Sequence, residues 1–507
     1  MSNRPPLTFA RLFVFLVCLP LLGSAAIADE GMFPISELER LKLAEKGLLL
    51  SPGEIFSADK TCLVDGICRV NGCTGSFVSP NGLIITNHHC AYRAIQSAST
   101  LENDYLKNGF IPSKFGEEIP ATGYTVRVTE SFKDVSRQVL EVVQGEMSFS
   151  DRTKTISRRR KELEKIAESE NPGKRAEVAE MFAGKTYVLF LYTYIKDVRL
   201  VFAPPSSVGN FGGDIDNWEW PRHTGDFSFM RAYVAPDGST AEYAANNVPY
   251  RPKKFIQVSS AGANESDFVM LLGYPGRTAR HKTASFLKYE QNVRLPYIVD
   301  LYGQQIETMN AAGANDRAVA IKLLSRIRSL ANVEKRSRGQ LKGLTRADIV
   351  AKRANEEAKL QSYIEADPAR NSKYGRTLAN INAAYQTQTK TAVAEANFQN
   401  IRLASQIMGI AFTIYDAAIE RQKADLERES AYMDRNFDQT VRRMKLRWAD
   451  LDFPTDQTLL TQVLNRYQQN GLGVEVPSID SLDAMYDTTA FKEETTVDVH
   501  SVKLELP

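Results

Sequence analysis

The character of the chain changes at about Thr283, and that break limits the fold more than any other feature. Ahead of it, short runs rich in β-branched and aromatic residues alternate with turn signals; beyond it, Ala, Gln, Arg, Lys and Glu dominate with almost no strand signal. Gly75 to Val78 and Leu83 to Thr86 flank Ser79-Pro80-Asn81-Gly82, whose proline and glycine suit a type I hairpin turn. Further strands are expected from Thr186 to Phe202, at Asp226 to Val234, at Phe255 to Val258 and at Asp267 to Leu272, with turns at Pro236-Asp237-Gly238 and Gly273-Tyr274-Pro275-Gly276. Short strands between frequent turns suit a barrel or sandwich better than an alternating α/β sheet.

Helical patterning is also expected from Ile35 to Gly47 and in a charged insertion at about 148–183, interrupted by Asn171-Pro172-Gly173. Past the break, Ala320, Leu323, Leu324, Ile327 and Leu330 recur at helical spacing behind a cap at Asn315 or Asp316, which marks them as core. The expected organisation is a leader at 1–28, a β-rich part at 29–282 and a helical part at 283–507. The tail from Leu482 to Pro507 reads as irregular and polar.

Arg4 and Arg11 precede an apolar run from Leu12 to Leu22 that closes with Ala26-Ile27-Ala28, the layout of a secretory signal peptide, so the mature chain is expected to begin near Asp29 outside the cytoplasm. The run is short for a membrane span, and no later stretch approaches the roughly 20 apolar residues that a spanning helix needs. The chain has 63 basic and 61 acidic residues. Since Arg4 and Arg11 leave with the leader, the rest is nearly neutral, which argues against a nucleic-acid partner. The densest basic run, Arg158-Arg159-Arg160-Lys161, is followed by Glu162, Glu164 and Glu168 at the spacing of a solvated helix face.

Cys62, Cys68, Cys73 and Cys90 crowd into one stretch of an exported chain, which favours two disulfides. Four cysteines allow three pairings and spacing does not choose among them; the preferred one joins Cys62 to Cys68 and Cys73 to Cys90. A zinc site is disfavoured, because neighbouring His88 and His89 would point opposite ways on a strand and no HExxH or paired CxxC spacing occurs.

Two motifs carry chemistry. The first is Cys73-Thr74-Gly75-Ser76-Phe77, a hairpin, then Thr86-Asn87-His88-His89-Cys90. The second runs from Gly209 to Phe229 and includes Gly212-Gly213-Asp214-Ile215-Asp216-Asn217-Trp218-Glu219-Trp220 and Thr224-Gly225-Asp226-Phe227-Ser228. The first resembles the histidine corner of chymotrypsin-like peptidases. Together with Leu272-Gly273-Tyr274-Pro275-Gly276-Arg277-Thr278 and Asn332-Val333-Glu334-Lys335, the two resemble bacterial dipeptidyl-peptidases 7 and 11, secreted or periplasmic serine exopeptidases that remove dipeptides from peptide N-termini.

The resemblance implies an α+β fold, a chymotrypsin-like double β-barrel with a large helical lid domain roofing the cleft, and a homodimer; it implies no cofactor and no metal. It makes His89 the general base, with Cys73 bridged to Cys90 behind it, and Asp226 the carboxylate that orients the imidazole. Asp214 and Asp216 are rivals for that role, and Asp226 ranks first because it heads an alternating strand. Asn217, Trp218 and Asn332 would surround the free α-amino group of a peptide substrate, since amide oxygens suit an ammonium donor and an indole adds a cation–π wall. His88 is expected to be a structural neighbour, and Trp220 to fill a core.

A serine peptidase also needs a nucleophile in a glycine-rich turn, and neither Gly-Asn-Ser-Gly nor Gly-Asp-Ser-Gly occurs in these residues. Gly209-Asn210-Phe211-Gly212-Gly213 carries phenylalanine at that place, and the resemblance puts the serine, and the pocket that selects the side chain at the cleaved bond, downstream of the helical part. The expectation is therefore a serine dipeptidyl-peptidase without its nucleophile, inactive as it stands. The alternative is a non-catalytic exported protein that binds peptides.

Overall fold

The computed structural model describes residues 32–470, apart from 146, 182–183 and 277–281. The leader at 1–28 and the tail from Leu482 to Pro507 lie outside the described residues. The fold is α+β. Its strands are β1 (Ile67–Val70), β2 (Cys73–Phe77), β3 (Leu83–Thr86), β4 (Ile119–Pro120), β5 (Val126–Asp134), β6 (Lys174–Met181), β7 (Thr186–Ile195), β8 (Asp197–Phe202), β9 (Ser228–Val234) and β10 (Val248–Pro249). They form one sheet in the order β4-β8-β9-β3-β2-β1-β5-β7-β6, with β10 added to β9, and every pairing is antiparallel.

The β2–β3 hairpin follows from its turn: Val78 N–H donates to Leu83 O at 2.8 Å across Ser79-Pro80-Asn81-Gly82. Alternate side chains of these strands point inward, so Cys68, Val70, Phe77, Ile84, Val126, Ile195, Leu200 and Met230 share one core. Each large apolar side chain buried there contributes about 1.5–3 kcal/mol.

The longer helices are α1 (His88–Ala98), α2 (Phe149–Glu170), α3 (Leu295–Gly313), α4 (Arg317–Arg346), α5 (Ile349–Glu365), α6 (Thr377–Ala404), α7 (Gln406–Glu420), α8 (Asp434–Ala449) and α9 (Phe453–Asn470). Asp316 caps α4 by accepting from Ala318 N–H and Val319 N–H, as its position ahead of the apolar stripe predicts. Leu323 and Ile327 then pack with Met309 and Leu459 in a helical core. Around α2 and α8 the helical part joins the β-rich part through charge: Arg435 of α8 reaches Glu164 and Glu168 of α2 at 2.6 and 2.7 Å, and Lys161 donates to Arg428 O at 2.8 Å. No described helix is long and apolar enough to cross a membrane.

Four expectations need correction. The charged insertion is helical only as far as Glu170; after Asn171-Pro172-Gly173 the chain turns into β6, because Ala176 and Val178 alternate inward against α2. Ile35 to Gly47 forms short 3₁₀ turns, Ile35–Glu37 and Leu43–Lys46, which bury none of their side chains and so lack the packing that sustains a longer helix. Phe255–Val258 and Asp267–Leu272 run outside the sheet, the first held to it by Ile256 N–H donating to Phe77 O at 2.8 Å, since strand propensity without a neighbouring ladder forms no strand.

The last correction is to the cysteines. Cys73 and Cys90 are bridged, but Cys62 and Cys68 are separate buried thiols. Cys68 lies on β1 inside the core, while the Cys62 thiol turns to Asp65 Oδ2 at 3.5 Å on the 3₁₀ turn Leu63–Gly66. We therefore expect denatured, unreduced mature protein to release two equivalents of thiol to a thiol-exchange reagent and the native protein close to none. Zero after denaturation would restore the Cys62–Cys68 bridge.

Candidate active site

The ladder between β3 and β9 assembles the site. Its register pairs Thr86 with Ser228, so the residues just past the end of β3 face those just ahead of β9. Asn87, His88 and His89 follow β3, and Asp226 precedes β9 by two residues. The chain turns from β3 straight into α1, whose first residues are the two histidines. The Cys73–Cys90 bridge ties that first turn back to β2.

Asp226 grips His89 twice. The imidazole Nδ1 donates to Oδ2 at 2.8 Å and the His89 backbone N–H donates to Oδ1 at 3.0 Å. Asn87 Nδ2 donates to the Asp226 carbonyl at 3.2 Å, and Arg222 lies 3.8 Å from the carboxylate. Burial works against the Asp226 charge, but the bonds from His89 and the nearby Arg222 outweigh it and hold the carboxyl below its ordinary range. A carboxylate on Nδ1 leaves the lone pair on Nε2, the tautomer a general base needs. The His89 side chain is 65% exposed, and Asp226 is the one described residue that bonds its ring.

His88 is a different kind of residue. It is 1% exposed, its Nδ1 shares a hydrogen bond of 3.2 Å with Ser228 Oγ, and its buried Nε2 meets no partner among the described residues. Gly209 packs so tightly on the ring that a side-chain carbon there would come within 2.8 Å of it. Burial, helped by the charges of Arg328 and His89, outweighs the opposing pull of Asp226 and lowers the His88 pKa to about 4.

The second motif forms a loop beside this corner. Trp218 takes a left-handed backbone with φ of 60°, rare for a bulky side chain and worth about 1–3 kcal/mol of strain. Its indole N–H offsets that by donating to Asn332 on α4, to the backbone oxygen at 3.1 Å and to Oδ1 at 3.0 Å. Asn217 Nδ2 donates to the same Oδ1 at 3.1 Å. Asn217, Trp218 and Asn332 thus come together, as the resemblance implies, in a cluster with an open indole face. Lys335, one turn further along α4, bonds Ile215 O and pairs with Glu219.

Among the rivals, Asp216 packs under Gly212 and makes no bond to His89, and the side chain of Asp214 lies outside the described residues. Trp220 fills no core: it is 93% exposed. Asn87 and Arg222 border Asp226 and Ser228 bonds His88; all three stand in the quoted motifs without a role expected for them, and their polar side chains next to the histidines and Asp226 are the signal the sequence offers. Cys73, His89 and Cys90 lie close enough together to suggest a metal, but their two sulfurs are joined as a disulfide and are not thiolate donors. The helical part has a cavity lined by Asp300, Gln304, Gln462 and Arg466, with none of these site residues in it.

The chain is α+β, and its antiparallel sheet holds a carboxylate-oriented histidine beside an asparagine and tryptophan cluster. A model of the peptidase S46 family matches residues 28–499, and the chain belongs to that family. The Asp/Glu-specific dipeptidyl-peptidase of Shewanella putrefaciens is 34% identical over 493 residues, covering 94% of this chain and 66% of that protein. Dipeptidyl-peptidase 7 of Capnocytophaga gingivalis is 38% identical over 398 residues, 77% of this chain and 54% of that one. The crystal structure of Porphyromonas endodontalis DPP11 in complex with the dipeptide Arg-Glu superposes with a TM-score of 0.73 at 27% identity, covering 92% of this chain and 66% of that one. The chain thus spans between about half and two thirds of these relatives' length.

The state of His88 gives a prediction. It is neutral in the fold but takes a proton in the unfolded chain below its ordinary value of 6.5. Its contribution is therefore complete above pH 6.5, falls away as pH drops towards about 4, and changes no further below that. The span corresponds to roughly 3 kcal/mol. Urea unfolding across pH 7 to 4 should show His88→Gln losing less stability than the parent by about that amount; parallel curves would show that His88 carries no such linkage.

Proposed function

We propose that the chain is the base-bearing and amine-binding part of an exported serine-type dipeptidyl aminopeptidase, which removes dipeptides from the free N-termini of peptides. The observation that carries this reading is the joint presence of a carboxylate-oriented histidine and the Asn217–Trp218–Asn332 cluster within one peptidase family fold. His89 takes the proton of an attacking hydroxyl through Nε2 and returns it to the leaving amine, while Asp226 fixes the tautomer and stabilises the imidazolium. The Asn217 carbonyl oxygen and the Trp218 face receive the substrate ammonium. Binding energy then accrues only when a charged terminus sits at a set distance from the base, and that selects a dipeptide over other lengths.

The nucleophile, on this reading, belongs to the portion by which the relatives exceed this chain. Two features support that. His89 Nε2 has no hydroxyl partner among the described residues, and Val258, Val269 and Leu271 are 77%, 73% and 101% exposed along extended segments that have no ladder. Apolar side chains alternating in this way suit strands of a second, chymotrypsin-like barrel that further strands would complete. Secretion through the leader, a helical lid over the cleft and pairing into a homodimer belong to the same proposal. The exposed Nε2 of His89, with no hydroxyl partner among the described residues, also favours a second reading, in which these 507 residues bind peptides without cleaving them.

The test uses mature protein, Asp29 to Pro507, with fluorogenic dipeptides and with tripeptides followed by calorimetry. No hydrolysis is expected. Free-amine tripeptides should bind about tenfold more tightly than N-acetylated ones, about 1.4 kcal/mol, and Asn332→Ala should erase the difference. Hydrolysis would mean that another nucleophile lies within these residues; equal affinity for free and blocked termini would sink the amine site.

A further inference from the structure

We infer that Arg328 is a positioning residue that sets the distance between the amine-binding cluster and the histidine corner. The inference rests on the proposed function, and its substance is mechanical. Six positions of α4 fall on one stripe: Arg317, Ile321, Leu324, Arg328, Asn332 and Lys335, at steps of four, three, four, four and three residues. Steps of three and four keep residues on one face of a helix.

Every position on that stripe meets the sheet part. Arg317 pairs with Asp104 at 2.5 Å. The Ile321 carbonyl accepts from Gln96 Nε2 of α1 at 2.7 Å, and Leu324 packs on the sheet core. The Arg328 guanidinium lies over the Tyr92 ring of α1, 4.5 Å from its centroid, and the Tyr92 ring stands edge-on to His88 at 5.8 Å. Asn332 then takes Asn217 and Trp218, and Lys335 takes the Ile215 carbonyl and Glu219.

One rigid rod therefore touches both halves of the site. Arg328 and Asn332 are one turn apart, about 6 Å along the axis, so the contact on α1 and the contact on the loop of Asn217 and Trp218 cannot shift independently. Arg328 is the link nearest the histidines. It has no carboxylate partner among the described residues, and the charge it places near His88 helps keep that ring neutral. A planar guanidinium stacks on an aromatic face as an ammonium does not, so lysine should preserve the charge and lose much of the contact.

Hydrogen exchange with mass spectrometry on the mature chain tests this without a substrate. Arg328→Ala should raise exchange about tenfold in residues 88–98 and also in 212–224, a loop that Arg328 does not bond. Arg328→Lys should do so by a smaller factor, and exposed Lys342→Ala on the same helix should leave both segments at parent rates. A rise confined to 88–98, or equal rises for all three variants, would overturn the inference. Should Arg328→Ala fail to fold, the lysine variant read against Lys342→Ala decides by the same two segments. In calorimetry, Arg328→Ala should also weaken free-amine tripeptide binding about tenfold with Asn217, Trp218 and Asn332 intact. If the parent itself shows no preference for a free amine, the functional proposal fails, and the exchange pattern still decides the role of Arg328.

Discussion

The ladder between β3 and β9 is the constraint on which the site depends. Its register, Thr86 opposite Ser228, fixes where the chain leaves one strand and enters the other, and so fixes the approach of His89 to Asp226. A slip of one residue would turn every side chain of β9 to the opposite face, removing Met230 from the core and carrying the carboxylate away from the imidazole. Because β3 is also held by β2 and β9 by β8, the register is set by a buried central pair and not by an edge. The disulfide at Cys90 and the two bonds that Asp226 accepts from His89 then refine a position that the sheet has already chosen.

The two adjacent histidines show how strongly environment divides identical side chains. One helical step of about 100° separates them, enough to bury His88 against Gly209 and Ser228 while His89 points to solvent. The buried ring gives up its charge and becomes packing; the exposed one keeps a carboxylate partner and an open nitrogen. Gly209 is what allows this, for any side chain there would displace the His88 ring and with it the first turn of α1. Gly209, at the head of the loop that carries Asn217 and Trp218, and the histidine at the head of α1 thus settle each other's place.

Local signals read well wherever the chemistry is local. The Ser79-Pro80-Asn81-Gly82 turn, the Asp316 cap, the Leu323 and Ile327 stripe and the motif that places Asp226 ahead of a strand are each decided by residues within a few positions of one another. What sequence did not disclose depends on distant partners. Phe255–Val258 and Asp267–Leu272 have strand composition without a ladder to join, and Lys174–Met181 has charged composition but two inward apolar positions and a neighbour in β7. The Cys62–Cys68 pairing failed for a related reason: short separation along the chain says nothing about side-chain direction, and the core claims Cys68. Trp220 misled because a large indole usually marks a core, whereas here it belongs to a loop whose aromatic residues face outward.

The manner in which the two parts are joined follows from the same distinction. Around α2 and α8 the junction includes Arg435 with Glu164 and Glu168, Arg175 with the Arg435 carbonyl and Asn436, and Lys161 with backbone carbonyls, groups that are costly to separate once buried but contribute little net stability. Along α4 the junction is a stripe of mixed contacts, in which Leu324 packs on the sheet core between polar and cation–π contacts. A polar junction does not weld two bodies as an apolar one does; it specifies where they meet. That suits a site assembled from both, because the cluster of Asn217, Trp218 and Asn332 exists only when helix and loop are in register, and the register is written in directional bonds from Arg317 to Lys335.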